Sequence, residues 1–192
     1  MKKRFNIAGT CIPQKHYMAD TSEKLSRMIR LIEQESYFMF NRARQYGKTT
    51  TLMLLWSRLK EKYVVINISF EGMGMDAFGS EDAFVRRFCG RVEKNLRLSG
   101  YSEAKQNIWK CTAGKENLDT LRDRITDFCG QQEEVLLFID EVDKSSDNQM
   151  FLNFLGLLRE LYLERAMGTV TFKSVILAGV YDVKNLKLKL RP

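Results

Sequence analysis

Two short segments of the chain carry residue types that could bind a phosphate group. The first contains Gly47, Lys48 and Thr49, between the aromatic run Ser36 to Phe40 and a run with helical spacing of apolar residues, Thr50 to Leu59. A strand, a loop and a helix in this order would place the loop's N–H groups at a helix N-terminus, where the helix dipole favours an anion. Lys48 would then contact the β- and γ-phosphates of a nucleotide, and the Thr49 hydroxyl would ligate Mg²⁺.

This segment, Asn41 to Thr50, is named the phosphate loop, and it departs from the usual pattern G-x-x-x-x-G-K-[ST]. Arg42 occupies the position of the first glycine, so the backbone there has a narrower range of angles. Gly-Lys followed by Ser or Thr also occurs by chance in roughly one chain in ten of this length, so the loop needs independent support. The residues of the loop that we predict to bind the nucleotide are Arg44, Gln45, Tyr46, Gly47, Lys48, Thr49 and Thr50.

An acidic pair supplies that support. The apolar run Val135 to Ile139 ends in Asp140 and Glu141. In a parallel sheet, such a strand would place Asp140 at the carboxyl edge, where a carboxylate helps to hold Mg²⁺. Glu141 would face the space beyond the γ-phosphate and is the candidate base that polarises the attacking water. Taken alone, the pair could equally be a strand-end turn with solvated carboxylates, so the prediction requires the two segments to meet.

Length and composition favour one domain with one sizeable core, since the 192 residues are 44% hydrophobic. No apolar stretch approaches twenty residues and the start lacks a leader pattern, so we expect a cytoplasmic protein without a membrane span.

The four cysteines lack C-x-x-C spacing, which favours reduced thiols over zinc ligands or disulfides. They are Cys11, Cys89, Cys111 and Cys129. The net charge of +7 permits binding to nucleic acid, but a solvated surface explains its even spread at least as well.

Helices and strands are predicted to alternate along the chain. An irregular arm, residues 1–19, precedes a helix that Asp20 is expected to cap together with Glu23 and that ends near Glu35. The further predicted elements are a strand at Tyr63 to Ser69, a helix at Ser80 to Leu98, one or two helices broken by Gly114 within Tyr101 to Glu116, a helix from the cap Asn117 to about Cys129, a helix from about Gln149 to Ala166 capped by Asp147 or Asn148, and a strand at Thr171 to Ala178 that ends at Gly179. Such alternation predicts an α/β fold whose parallel sheet binds its ligand outside the carboxyl ends of the strands.

The chain resembles an AAA-type ATPase domain, a P-loop NTPase of the additional-strand class, and more narrowly the prokaryotic AAA-like or predicted AAA-ATPase families. The segments that carry the resemblance are Phe40 to Thr49, Phe138 to Asp143, Leu157 to Tyr162 and Ile176 to Val180. The similarity covers nearly the whole chain, and the departure at Arg42 is itself common in these families. The resemblance implies a three-layer α/β/α sandwich with a mainly parallel sheet, in which the strand ending at Gly179 lies between the other two strands of the site.

The resemblance also implies adenine contacts from the N-terminal arm, with Ile12, Pro13, His16 and Tyr17 as candidates. For His16, a surface or capping role is the alternative interpretation.

Two features of these families have no clear counterpart. Ala178 and Gly179 stand where a polar sensor of the γ-phosphate is expected, so Tyr181 or Asp182 would have to replace it. The families also continue into a fifth strand and a helical lid. We therefore expect residues 1–192 to form a single ATPase core that stops before them. No arginine finger is assigned, although Arg42, Arg44 and Arg159 are candidates.

Three hypotheses of function are consistent with these patterns. In the first, the chain binds and hydrolyses ATP with Mg²⁺: Lys48 holds phosphates, Thr49 and Asp140 hold the metal, and Glu141 activates water. In the second, it is a switch that binds ATP or ADP, turns over hardly at all and signals to a downstream effector domain. In the third, it is the ATPase module of a nucleic-acid-processing system. A homo-oligomer is compatible with each hypothesis.

Overall fold

The computed structural model of the protein describes residues 3–6, 11–12, 14–42, 46–132, 134–142 and 148–180. The described part contains α-helices α1 (Ser22–Glu33), α2 (Lys48–Leu59), α3 (Glu81–Leu98), α4 (Glu103–Asn107), α5 (Leu118–Gly130) and α6 (Gln149–Glu164), strands β1 (Phe38–Asn41), β2 (Val64–Ser69), β3 (Val135–Asp140) and β4 (Ser174–Gly179), and short 3₁₀ helices at Met75–Phe78 and Arg165–Met167. None of these helices is both long enough and apolar enough to cross a bilayer.

The four strands form one parallel sheet in the order β1-β4-β3-β2. β4 therefore lies between β1, which leads into the phosphate loop, and β3, which carries the acidic pair. The register aligns Asn41 with Gly179 and Ser69 with Asp140, so the carboxyl ends of the strands share one edge. The predicted parallel α/β fold and the strand order implied by the resemblance are both confirmed.

Two apolar cores cover the two faces of the sheet, because alternate strand residues point to opposite faces. On one face, Ile66, Leu137 and Val175 pack in a core with residues of α3, α5 and α6. On the other face, Val65 and Leu136 pack with residues of α1 and α2. Each fully buried aliphatic side chain contributes about 1.5–3 kcal/mol, so both layers hold the sheet firmly and fix the edge where its strands end.

Helix α2 begins at Lys48, earlier than the apolar spacing alone indicates, because its first turn is polar. Leu52, Leu55 and Leu59 are buried on one face of the helix and pack it against the sheet. The N–H of Thr51 donates to the carbonyl of Gly47 at 2.8 Å, which is the first hydrogen bond of the helical ladder. This packing fixes the start of α2 beside the carboxyl edge of the sheet.

The predicted start and end of α1 are wrong by one or two residues. The N-cap is Thr21 rather than Asp20, and Asp20 Oδ1 instead accepts the N–H of Ser22 at 2.9 Å. The helix ends at Glu33 because Glu35 adopts a left-handed conformation with φ of 56°, which breaks the helical ladder. That turn directs the chain into β1.

Residues Tyr101 to Glu116 contain less helix than predicted, since only α4 is helical there. Trp109 is buried in the core and the segment after it is irregular, with Gly114 in the left-handed region at φ of 74°. A buried carboxylate, Glu116, organises the segment: it accepts the N–H of Thr112 at 2.7 Å and binds Arg124 through both carboxylate oxygens. Tertiary contacts therefore replace helical hydrogen bonds here.

Two of the predicted helix caps are confirmed. Asn117 caps α5 in a reciprocal capping box with Thr120, and the Asn148 side chain accepts the N–H of Met150 at the start of α6. The alternative cap for α6, Asp147, lies outside the described residues. The last strand is shorter than predicted because β4 begins at Ser174, not Thr171.

Candidate nucleotide-binding site

The first turn of α2 presents a helix N-terminus at the carboxyl edge of the sheet. Its N-cap, Gly47, has φ of 74°, a conformation that costs a residue with a Cβ roughly 1–2 kcal/mol. Glycine also brings no side chain to cover the N–H groups of the first turn. Unpaired donors and the positive end of the helix dipole together make such a terminus suitable for an anion.

Thr49 and Asp140 connect α2 to β3. The Thr49 hydroxyl donates to Asp140 Oδ2 at 2.7 Å. Asp140 is buried because it is the last residue of β3, a strand whose residues are all buried. A hydroxyl and a carboxylate, both hard oxygen donors, therefore meet at the end of the strand.

Lys48 and Glu141 form a second contact between the same elements. Lys48 Nζ lies 3.3 Å from Glu141 Oε1, and the side chains are only 5% and 20% exposed. Reduced solvent contact strengthens the attraction between their charges. The lysine is held at the start of α2, where an anionic ligand would compete with Glu141 for it.

Glu141 leaves β3 in a left-handed conformation, with φ of 57°. Its N–H donates to Asp140 Oδ1 at 2.9 Å, which supports the sharp turn. Residues other than glycine rarely adopt this conformation, and those that do often lie at functional sites. Asp140 thus contacts Thr49 with one oxygen and orients the Glu141 backbone with the other.

The structure therefore brings together the four side chains that sequence reasoning selected for chemistry, namely Lys48, Thr49, Asp140 and Glu141. Tyr46, at the entry to α2, is largely exposed. Arg44 and Gln45, also predicted to bind the nucleotide, lie outside the described residues.

The N-terminal arm reaches the same helix start. The backbone N–H of Cys11 donates to Thr50 Oγ1 at 3.1 Å, which places the neighbouring Ile12 close to the first turn of α2. His16 is buried rather than at the surface, and its Nδ1 accepts the Ile12 N–H at 2.9 Å, in agreement with the capping interpretation. Tyr17 is half exposed and packs against the ring of Phe5. Pro13 lies outside the described residues.

Arg42 has a structural role that the sequence motif does not reveal. Its N–H donates to the Gly179 carbonyl at 3.0 Å, and its Nη1 donates to the Tyr46 carbonyl at 3.4 Å. The arginine therefore links the end of β1 to the residue that precedes the N-cap of α2. Its position in place of a glycine was the only available signal in the sequence.

The end of β4 offers no polar side chain to this edge, since Ala178 and Gly179 are buried there and Val180 follows. Tyr181 and Asp182, the predicted substitutes for a γ-phosphate sensor, lie outside the described residues.

The chain was compared with known protein families, curated proteins and solved structures. Residues 14–184 match the family model described as an AAA-like domain. No curated protein matches the chain. A Walker-type ATPase of Pyrococcus abyssi is similar with a TM-score of 0.57 and 13% identity over 91% of this chain and 48% of that one. The ORC2 protein of Aeropyrum pernix, solved as ADPNP–ADP complexes, gives a TM-score of 0.54 and 14% identity over 91% of this chain and 45% of that one.

The chain thus spans about half the length of these two structures, and at such identities the likeness establishes the fold, that of P-loop ATPases. The family match also covers most of the chain. The chain therefore belongs to the AAA-like domain family, and this membership supports a nucleotide-binding, ATPase-type function.

Proposed function

We propose that this chain binds ATP at the start of α2 and hydrolyses it with Mg²⁺. One observation carries the proposal: Lys48 and Thr49 of α2 contact Glu141 and Asp140 at the end of β3, at 3.3 Å and 2.7 Å. A cation, a hydroxyl and two carboxylates at a helix N-terminus are the groups that phosphoryl transfer to water requires. Membership of the AAA-like domain family supports the same assignment.

The phosphates would bind where Lys48 now contacts Glu141. Lys48 is almost completely buried, so its charge would act on a phosphate with little screening by water. The N–H groups of the first turn of α2 and of the phosphate loop would donate to the same oxygens. On the adenine side, the bond between Cys11 and Thr50 supports contacts from Ile12, Pro13, His16 and Tyr17 of the arm.

The residues present fit Mg²⁺. Within the described part of the chain, no group of three or more His, Cys, Asp and Glu side chains could hold a metal by itself. Mg²⁺ does not require such a group, since it commonly binds one or two protein oxygens together with phosphate oxygens. Thr49 Oγ1 and Asp140 Oδ2 would hold it here. When bound, Mg²⁺ would neutralise negative charge that develops on the phosphate oxygens.

Glu141 would act on water. Once a phosphate takes its place beside Lys48, the Glu141 carboxylate can accept a hydrogen bond from a water molecule and orient it for attack. The hydrogen bond from the Glu141 N–H to Asp140 Oδ1 holds the Glu141 backbone beside the proposed metal ligands. General-base assistance of this kind typically contributes about 10²–10⁴-fold to the rate.

Release of inorganic phosphate from ATP by the wild type and by Glu141→Gln tests the proposal. We expect the variant to bind ATP but to release phosphate more slowly than the wild type, by a factor of about 100 or more. Glu134→Gln, just before the amino end of β3, is the matched control and should leave turnover unchanged. Equal turnover in wild type and Glu141→Gln would overturn the role of Glu141, and failure of the wild type to bind ATP with Mg²⁺ would overturn the function.

A nucleotide-dependent switch with little turnover is the second candidate. The absence of a polar side chain at Ala178, Gly179 and Val180 favours it, because nothing on those residues could sense the γ-phosphate. Bound nucleotide without phosphate release would support the switch over the enzyme. A downstream effector domain, a homo-oligomer, a nucleic-acid partner and a cytoplasmic location stay predictions from the sequence.

A further inference from the structure

The outward surface of α3 is strongly basic. Its inward residues, among them Phe84, Phe88 and Val92, are fully buried in the larger core, so the opposite side of the helix points to solvent. At 3.6 residues per turn, the cations of α3 all fall on that exposed or half-exposed side. We call this set the basic face, and its members are Arg86, Arg87, Arg91, Lys94 and Arg97.

Few carboxylates neutralise the basic face. Glu81 and Asp82, in the first turn of α3, accept backbone N–H groups next to the start of α5, at 3.0 and 3.2 Å. From there to the end of the helix, Glu93 is the only acid, and it is half buried. A helix surface that serves only to be solvated typically alternates the two signs of charge. The basic face lacks this alternation.

The two cations nearest the start of the helix form only exposed ion pairs. Arg86 Nε lies 2.8 Å from Asp82, and Arg87 Nη2 lies 3.4 Å from Asp76. Ion pairs of this exposed kind contribute little to stability and are screened by salt. A phosphate group could therefore replace either carboxylate at small cost to the fold.

The other three cations have no carboxylate partner in the part of the chain that the structure describes. Arg91 Nη2 donates to the backbone carbonyl of Glu71 at 2.9 Å, and burial, followed by the charge of Arg87, lowers the pKa of Arg91. Lys94 and Arg97 are exposed and form no hydrogen bond or ion pair with any described residue. The helix dipole accounts for Arg97 alone, because only that cation lies in the last turn.

We propose that the basic face of α3 binds the phosphate backbone of double-stranded DNA. Arg86 and Arg97 lie about 16 Å apart along the helix axis, which is long enough to contact several phosphates. All members of the face except Lys94 are arginines, whose planar guanidinium groups match the geometry of phosphate. Gly90 is exposed in the middle of the face, so no side chain at that position keeps a ligand away from the helix.

The shape of the surface favours DNA over RNA. The major groove of B-form DNA is about 12 Å wide and admits an α-helix, whereas that of A-form RNA is too deep and narrow for side chains to read. The exposed half of α3 can lie against the two strands that border such a groove. Contacts to phosphates carry no sequence information, so binding should depend on salt and hardly on sequence.

Fluorescence anisotropy of a short labelled DNA duplex of mixed sequence, titrated with the wild type at several salt concentrations, tests the proposal. With all members of the basic face on phosphates, the logarithm of the association constant should fall with the logarithm of the salt concentration with a slope of about −4.5. The double variant Lys94→Gln, Arg97→Gln should bind about 10-fold more weakly at low salt, with a slope shallower by about 2.

The matched control is the double variant Arg27→Gln, Arg30→Gln. Both of these arginines are exposed on α1, which packs on the opposite face of the sheet, so the net charge changes equally but the basic face stays intact. Its slope and affinity should match those of the wild type. Equal weakening by the two double variants would show that net charge alone attracts DNA and would overturn the proposal. Circular dichroism would establish that each variant is folded.

Acetylation of lysines in the wild type provides a test that needs no variant. Duplex DNA should protect Lys94 from acetylation and leave Lys60, which follows α2 on the other face of the sheet, as reactive as before. An unprotected Lys94, a wild type that does not bind the duplex at low salt, or equal affinity for duplex RNA would overturn the assignment. All of these measurements are made without ATP, so their failure would leave the proposed nucleotide site untouched.

Discussion

The two ends of the sheet each hold a glutamate in a left-handed conformation, and these are the only non-glycine residues with positive φ in the described part of the chain. Glu35, with φ of 56°, precedes β1 at the amino end. Glu141, with φ of 57°, follows β3 at the carboxyl end. Each glutamate pairs with a buried or half-buried cation, so the two sites have the same backbone conformation and the same kind of ion pair. The groups around the two ion pairs differ.

At the amino end, the ion pairs form a network among protein groups. Glu35 binds Arg165 and Lys173, and Lys173 also binds Glu134. Arg165 is the C-cap of α6, where the negative end of the helix dipole favours a cation. Each cation there is paired with a carboxylate, and Arg165 also lies at a helix end that favours a positive charge.

At the carboxyl end, the cation stands where the fold does not favour it. Lys48 is the first residue of α2, and the positive end of the helix dipole repels its ammonium group. Glu141 offsets that repulsion, and a phosphate would do so more strongly. The comparison teaches that similar ion pairs can serve stability at one end of a sheet and be exchangeable for a ligand at the other.

Replacement of Lys48 by methionine should have the largest effect, and it should fall on ATP binding rather than on stability. We expect ATP to bind about 10- to 100-fold more weakly, or about 1.4–2.8 kcal/mol, because the phosphates lose a charged donor. The free energy of unfolding should change little, since the lost ion pair is compensated by removal of a cation from the positive end of α2. Titration calorimetry and urea unfolding measure the two quantities. An unchanged affinity for ATP would contradict the assignment of Lys48.

Replacement of Lys173 by methionine is the matched change at the amino end. The lysine is 10% exposed and binds two glutamates, so its loss should lower the free energy of unfolding by about 1–2 kcal/mol. The affinity for ATP should stay at the wild-type value. Urea unfolding and the same calorimetric titration would measure both, and a loss of ATP binding without a loss of stability would reverse the proposed contrast.

The sequence predicted the parts of the fold that depend on local patterns. Alternating apolar runs indicated the parallel sheet, and the short motifs around Lys48 and Asp140 indicated which residues would meet at its edge. Those motifs depend on chemistry that needs particular residue types, so they can be read without the structure. The strand order required the family resemblance, because periodicity does not determine which strands are neighbours.

Tertiary contacts decided the parts that the sequence did not reveal. Nothing local predicts that Glu35 turns into the left-handed region, since its partner Arg165 lies 130 positions away. The segment after α4 has helix-forming residues, yet Glu116 and Arg124 hold it in an irregular path. The capping interpretation of His16 agrees with the hydrogen bond from the Ile12 N–H, but its burial was not predictable locally, because it follows from folding of the arm back toward α2. In each case, contacts between side chains and other segments override local propensity.

At the amino end of the sheet, one further ion pair should make a small contribution to stability that depends on pH. Glu33, the last residue of α1, accepts hydrogen bonds from Lys62 Nζ at 2.9 Å and from Tyr63 Oη at 2.8 Å, just before β2 begins. These hydrogen bonds, that from Lys62 first, hold the pKa of the Glu33 carboxyl below its usual value. The folded state therefore favours the carboxylate more than the unfolded state does. The resulting stability is present above the ordinary glutamate pKa and is lost as the pH falls through the lowered value.

Glu33→Gln should reduce that dependence on pH. Urea unfolding midpoints measured from about pH 6 to about pH 3 should fall less steeply in the variant than in the wild type, and the two should converge at the acid end. Glu61→Gln, a change at a largely exposed glutamate nearby, is the control and should follow the wild-type curve. Because Glu33 is itself well exposed, the effect should be smaller than that of Lys173→Met. Parallel curves for wild type and Glu33→Gln would show that this ion pair adds nothing to the stability of the amino end.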